Sequence, residues 1–167
     1  MKRAIHIMPD LGQYPLIEVF RQRFDRLSQH IGGHITLVFP FDLPMPDGVL
    51  QSHLDSCSSG MEPFQVGLLP PHRSHDEHLW LPVSDSGSLQ ELTRRLYSGP
   101  LSILIGAHRP GNHHLTIARP PLPPRTEYDM LESSLGFPMI LNIFAITLES
   151  IQPDETSQVL GHFQLRP

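Results

Sequence analysis

The chain has 167 residues, with 12 Lys and Arg against 17 Asp and Glu and a net charge of −5. That charge argues against broad binding to long nucleic acid or anionic membranes, while leaving room for a local basic site. The length predicts one domain, residues 1–167, of two intertwined lobes, and 39% hydrophobic residues suffice for a packed core.

No apolar stretch approaches the roughly 20 residues that a membrane crossing needs, and the N-terminal run lacks the apolar core of a secretory signal. The single cysteine, Cys57, predicts no internal disulfide and fits a reducing cytoplasm. A monomer is expected. Eighteen prolines disfavour long helices, and 11 histidines supply candidates for acid–base chemistry near neutral pH.

In chain order, residues 3–8 are rich in β-formers and end at Pro9, a first strand. Residues 15–31 carry Leu16, Val19, Phe20, Phe24, Leu27 and Ile31 at helical spacing, with Pro15 in the first turn and Gly32-Gly33 at the end. Residues 34–41 read as a strand closed by a Pro-rich turn, and Asp47 opens a helix to about Ser56. Residues 64–69 and 78–83 form a predicted hairpin with a long, His-rich tip. Ser88 and Glu91 have capping-box spacing and open a helix to Tyr97. A strand over 114–118, a helix over 126–135 and closing strands over 140–148 and 159–165 complete the chain. Residues 101–106 fit a strand, a helical turn or a packed loop. The pattern is α+β rather than a doubly wound parallel sheet, and no glycine-rich phosphate loop is present.

Two segments repeat one another: His34-Ile35-Thr36-Leu37-Val38-Phe39-Pro40 and His114-Leu115-Thr116-Ile117-Ala118-Arg119-Pro120. Composition alone yields roughly 0.4 His-x-Thr triplets in such a chain, so two with matching flanks exceed chance. Strand alternation sends His and Thr to one face and the aliphatic residues to the core. The motifs start 80 residues apart, about half the chain, as pseudo-symmetric lobes require.

The chemistry implied is phosphoryl transfer. Two imidazoles on opposite walls of a cleft provide a base behind the nucleophile and an acid behind the leaving oxygen. The hydroxyls of Thr36 and Thr116 then donate to phosphate oxygens.

From Leu92 through Thr126 there is no Asp or Glu, but there are Arg94, Arg95, Arg109, Arg119 and Arg125. This 35-residue segment carries +5 and contains the second motif, so the remainder carries −10. The distribution predicts a positive wall on an acidic molecule, with Arg109 and Arg119 as the candidate phosphate contacts. A substrate with one phosphate group suits it better than a polyanion.

Other signals carry less. His72, His75 and His78, with Asp76 and Glu77, could bind a metal but lie at a hairpin tip without a helix to set ligand geometry, so no metal site is assigned. Residues 120–125 match a polyproline ligand but read as a rigid connector. Cys57 has no neighbouring pattern that marks a nucleophile. His6 could face the cleft from the first strand, but the default expectation is an exposed strand histidine.

The paired motifs resemble the signature of the two-histidine (2H) phosphoesterases, and most closely their bacterial 2′-5′ RNA ligase-like branch. The resemblance extends to the first strand and helix, to Leu96-Tyr97-Ser98-Gly99-Pro100-Leu101, and to the last two strands. It implies a bilobal, pseudo-symmetric fold with two antiparallel sheets facing a central cleft and helices outside. It also implies cofactor-free, metal-independent chemistry on 2′,3′-cyclic phosphates of nucleotides or RNA 3′ ends. The reverse 2′-5′ ligation, or nucleotide binding without turnover, occurs among relatives. Gly33 and His113 stand before the motif histidines, where relatives often have proline.

Overall fold

The computed structural model describes residues 2–106 and 111–167. Its strands are β1 (Lys2–Ile7), β2 (Ile35–Phe41), β3 (Phe64–Leu68), β4 (His72–Arg73), β5 (Leu79–Asp85), β6 (His114–Ala118), β7 (Met139–Ile143), β8 (Ala145–Ile151) and β9 (Ser157–Gln164). The helices are α1 (Pro15–Phe24), α2 (Asp47–Ser58), α3 (Ser88–Leu96) and α4 (Arg125–Ser134). The 101–106 region lies largely within a 3₁₀ turn, Gly99–Leu104.

The strands run β7-β3-β5-β6-β2-β1-β8-β9, with β4 beside β5. All these pairings are antiparallel. Two sheets meet in β5: its first half pairs with β6 and its second half with β3. The fold is therefore the α+β arrangement of a strongly curled antiparallel sheet with helices packed on it. Both central motif strands bury their aliphatic residues, Ile35 and Leu37 on β2 and Leu115 and Ile117 on β6. This is the alternation expected of strands with one face in the core.

Three local expectations are corrected. The helix from Pro15 ends at Phe24 rather than reaching Ile31, because Asp25 is extended (φ −118°, ψ 106°) and a 3₁₀ turn, Arg26–Gln29, follows. The Asp25 carboxylate accepts the Leu27 N–H at 3.0 Å and the Arg21 guanidinium at 3.1 Å, a local alternative to helix.

The strand expected over 140–148 is two strands broken at Phe144. β7 completes the edge beside β3, whereas β8 crosses to pair with β1. The apolar run Ile143-Phe144-Ala145-Ile146 is continuous in sequence, so it hides a change of sheet.

Ser88 does not cap α3. Gly87 occupies the cap position with φ +112°, a conformation that favours glycine, and the Asp85 carboxylate accepts the Leu89 and Gln90 N–H groups. Glu91 turns instead to Arg94 and Arg95.

Candidate active site

β2 and β6 are hydrogen-bonded neighbours joined at Ile35 and Leu115. One residue further each way, this antiparallel register sets His34 across from Thr116 and Thr36 across from His114. Both histidines line one cleft at the junction of these two strands. The cleft, of about 340 Å³, is lined by both His-x-Thr pairs together with Phe39, Asp76, His78, Trp80, Asn112 and Arg119. That volume lies near the small end of ligand pockets, about 300–1,000 Å³.

The two imidazoles are held alike. His34 Nδ1–H donates to the Gly32 carbonyl at 2.9 Å, and His114 Nδ1–H donates to the Asn112 carbonyl at 2.7 Å. Each acceptor is two residues upstream, and each bond leaves Nε2 as the basic nitrogen. Burial pushes the His34 imidazole down to about 3, helped by repulsion from His6 and opposed by the Gly32 bond. His114 is also lowered, again by burial first and by repulsion from His113 and His78, with the Asn112 carbonyl and Asp76 pulling it back up.

Neither motif histidine is preceded by proline, and the contacts give the reason. The Gly33 N–H donates to Glu18 at 2.9 Å, a bond that proline lacks. A Cβ on Gly33 would also lie 2.6 Å from both Glu18 Oε1 and Leu11 Cδ1. His113 is outside the cleft lining: its Nδ1–H donates to the Thr36 carbonyl at 3.2 Å, and its Nε2 lies 2.9 Å from the Thr93 hydroxyl. It ties β6 to β2 and α3.

Arg119 lines the cleft and is anchored from behind. Its backbone N–H donates to Phe24 and its guanidinium pairs with buried Asp25. Asp25 also binds Arg21, which is 0% exposed and reaches Glu18. Arg109 lies outside the described residues. The basic segment does not form a continuous positive wall. Arg94 and Arg95 pair with Glu91, and Arg125 pairs with Asp129. Of the four described arginines in that segment, only Arg119 lines the cleft.

Sequence reasoning passed over Trp80 and weighed Asp76 and His78 only as metal ligands. Trp80 is the cross-strand partner of Thr116 on β5, and its indole stacks on His114. Asp76 and His78, from the His-rich hairpin tip, line the same cleft. Among the described residues no three His, Cys, Asp or Glu side chains cluster as a metal site. His6 is not exposed but 3% accessible, bonded to Glu149 and set against His34. Its burial follows from the placement of β1 between β2 and β8, and Glu149 supplies the partner that a buried imidazole needs. Cys57 is buried and its thiol is pushed up to about 11, which leaves it inert.

A curled antiparallel sheet that presents two His-x-Thr strands to one cleft defines a two-histidine phosphoesterase architecture. The chain belongs to the 2′-5′ RNA ligase superfamily, whose profile matches residues 9–143. Among solved structures, TT0787 of Thermus thermophilus is similar over 99% of this chain and 98% of its own, with TM-score 0.72 and 18% identity. Escherichia coli LigT complexed with NADP+ is similar over the same shares, with TM-score 0.64 and 16% identity. LigT complexed with phosphate gives a TM-score of 0.60 at 14% identity over 99% and 98% of the two chains. No curated protein matches the chain. Among the described residues no helix is long and apolar enough to cross a membrane.

Proposed function

We propose that this protein is a metal-independent phosphodiesterase that opens 2′,3′-cyclic phosphates on nucleotides or RNA 3′ ends. The observation that carries the reading is the matched pair of imidazoles. Both have Nδ1–H fixed to a backbone carbonyl, and both line one cleft beside Thr36 and Thr116.

His34, with its low proton affinity and positively charged neighbours, serves as the base. His114, stacked on Trp80 and near Asp76, is better placed to hold a proton and serves as the acid. Water attacks phosphorus and gives its proton to His34 Nε2. One ring P–O bond breaks, and the departing ribose oxygen takes the proton from His114. The product is a phosphomonoester with a free vicinal hydroxyl. Thr36, Thr116 and Arg119 donate to the non-bridging oxygens, where charge-assisted bonds are strongest. Arg109, which follows the 3₁₀ turn in sequence, is kept as a second phosphate contact.

The cleft size supports a single nucleotide or a chain end, and the net charge of −5 disfavours a long polyanion. LigT complexes with phosphate and with 3′-AMP are consistent with such a ligand.

The test is a panel of 2′,3′-cyclic nucleotides and cyclic-phosphate-ended oligonucleotides incubated in EDTA, with products read by ³¹P NMR. Ring opening that disappears in His34→Ala and in His114→Ala supports the assignment. Binding of the panel without turnover overturns catalysis in favour of a nucleotide-binding role. Joining of ends through a 2′-5′ linkage would show the same acid–base pair running in reverse.

A further inference from the structure

β1 is buried along most of its length, and β2 and β8 flank it. In that strand only one residue between Ala4 and Ile7 is polar: His6. Its cross-strand neighbours are Thr36 on β2 and Thr147 on β8, so it shares a face with the candidate phosphate ligand Thr36. Glu149, two residues along β8 from Thr147, is itself 2% exposed. Its Oε2 accepts from His6 Nδ1–H at 2.6 Å. On the other side, the His6 ring lies 4.3 Å from the His34 ring, tilted by 43°. A buried carboxylate, a buried imidazole and a cleft imidazole therefore stand in sequence across three adjacent strands.

We propose that the Glu149–His6 pair is a positioning device for His34, seating its ring and holding it in the proton-free form that a base requires. The inference rests on the reading of His34 as the base. Burying a histidine and a glutamate is costly unless each satisfies the other, so the pair calls for a role that an aliphatic pair could not fill.

The geometry supplies one. His6, fixed by the Glu149 carboxylate behind it and packed against His34, disfavours a charged ring there. The other charged groups around His34 act in the same sense or are already committed. Arg21 on α1 and Arg119 after β6 also disfavour a charged His34. Glu18 on α1 is held by Arg21 and the Gly33 N–H, and Asp25 by Arg21 and Arg119. The Nδ1–H bond to Gly32 fixes the ring from its other edge.

The experiment is a titration of ¹⁵N-labelled imidazoles by NMR, with His34 assigned by its loss in His34→Ala, on wild type, Glu149→Gln, Glu149→Asp and His6→Gln. Glu149→Gln removes the charged partner that fixes the His6 ring against His34. His6→Gln removes the ring and leaves a carboxylate. Each is expected to raise the His34 midpoint by about one pH unit. Glu149→Asp, which retains the charge, is expected to stay near wild type. If cyclic phosphates are turned over, the acid limb of kcat/KM moves up with the midpoint.

An unchanged or lowered His34 midpoint in both Glu149→Gln and His6→Gln overturns the proposal, whatever happens to thermal stability. The titration needs no substrate. A shifted midpoint in a protein that opens no cyclic phosphate upholds the coupling and discards the phosphodiesterase reading. Turnover with an unmoved midpoint does the reverse.

Discussion

The indole of Trp80 lies flat on the imidazole of His114, with 3.8 Å between ring centres and 12° between planes. Trp80 sits on β5 opposite Thr116, so one side chain braces the second motif's histidine while its backbone registers the second motif's threonine. A stacked π face favours a protonated ring by about 0.5–2 kcal/mol. Trp80→Leu should therefore lower turnover by roughly 2- to 30-fold, the rate equivalent of that range. Trp80→Phe should retain most of it. Steady-state kinetics on a cyclic nucleotide checks both, and full turnover in Trp80→Leu would show that the stack is packing alone.

Replacing either motif histidine by alanine should cost about 10²–10⁴-fold in kcat, the usual worth of a positioned acid or base. The double variant should lose much less than the product of the two factors, because groups that act as a unit are not additive. Thr36→Val and Thr116→Val remove one charge-assisted hydrogen bond each, at about 1.5–3 kcal/mol, or roughly 10- to 150-fold in kcat/KM. Far-UV circular dichroism of each variant separates these losses from unfolding.

The repeat made the centre of this site legible and its surroundings opaque. His34, Thr36, His114 and Thr116 share one cleft because the period-2 rule fixes the face of each residue within its own strand. That rule contains nothing about which strands are neighbours. The direct pairing of β2 with β6, the arrival of Trp80 from β5 and the burial of His6 between β2 and β8 are facts of sheet order, set by long-range packing. Net charge along the sequence misled because ion pairs, local and distant, consume it. Arg94 and Arg95 meet Glu91 one helical turn away, and Arg119 meets Asp25 from a distant segment. Phe144 shows the limit at the level of the fold. A continuous apolar run passes through it, yet the strands on its two sides lie in opposite halves of the sheet order.

Asp25 should be a point of acid sensitivity. Burial raises its carboxyl, but the Arg119 hydrogen bond and charge, the Leu27 N–H and Arg21 together outweigh this and leave it below the ordinary 3.8. A depressed folded value means that its stabilisation is complete above the unfolded aspartate value. The stabilisation is lost as pH falls through the lower folded value, so the window lies below about pH 4. Asp25→Asn leaves Arg119 without its carboxylate and Arg21 with the Glu18 carboxylate alone, and should destabilise the fold by about 3–5 kcal/mol near neutral pH. Thermal unfolding followed from pH 7 to pH 2 should show the gap between wild type and variant closing at the acid end. A constant gap would remove Asp25 ionisation from the explanation.

The pH dependence of catalysis gives the sharpest check on which histidine does what. In the free protein His34 must be neutral to accept a proton, a condition lost only as pH falls through about 3. His114 must be protonated to act as acid, and its proton affinity is lowered below the ordinary 6.5. Activity that depends on a protonated His114 is therefore lost as pH rises through that lowered value. The profile of kcat/KM, which reports the free enzyme, should be a bell whose maximum lies between about pH 3 and 6.5. A bound phosphate anion favours the charged form of both rings, so the limbs of kcat should lie at higher pH than those of kcat/KM. His114→Ala should remove the basic limb, because loss of proton donation no longer depends on pH, whereas His34→Ala should remove the acidic one. If His114→Ala instead abolishes the acidic limb, the two roles are exchanged and His34 is the proton donor.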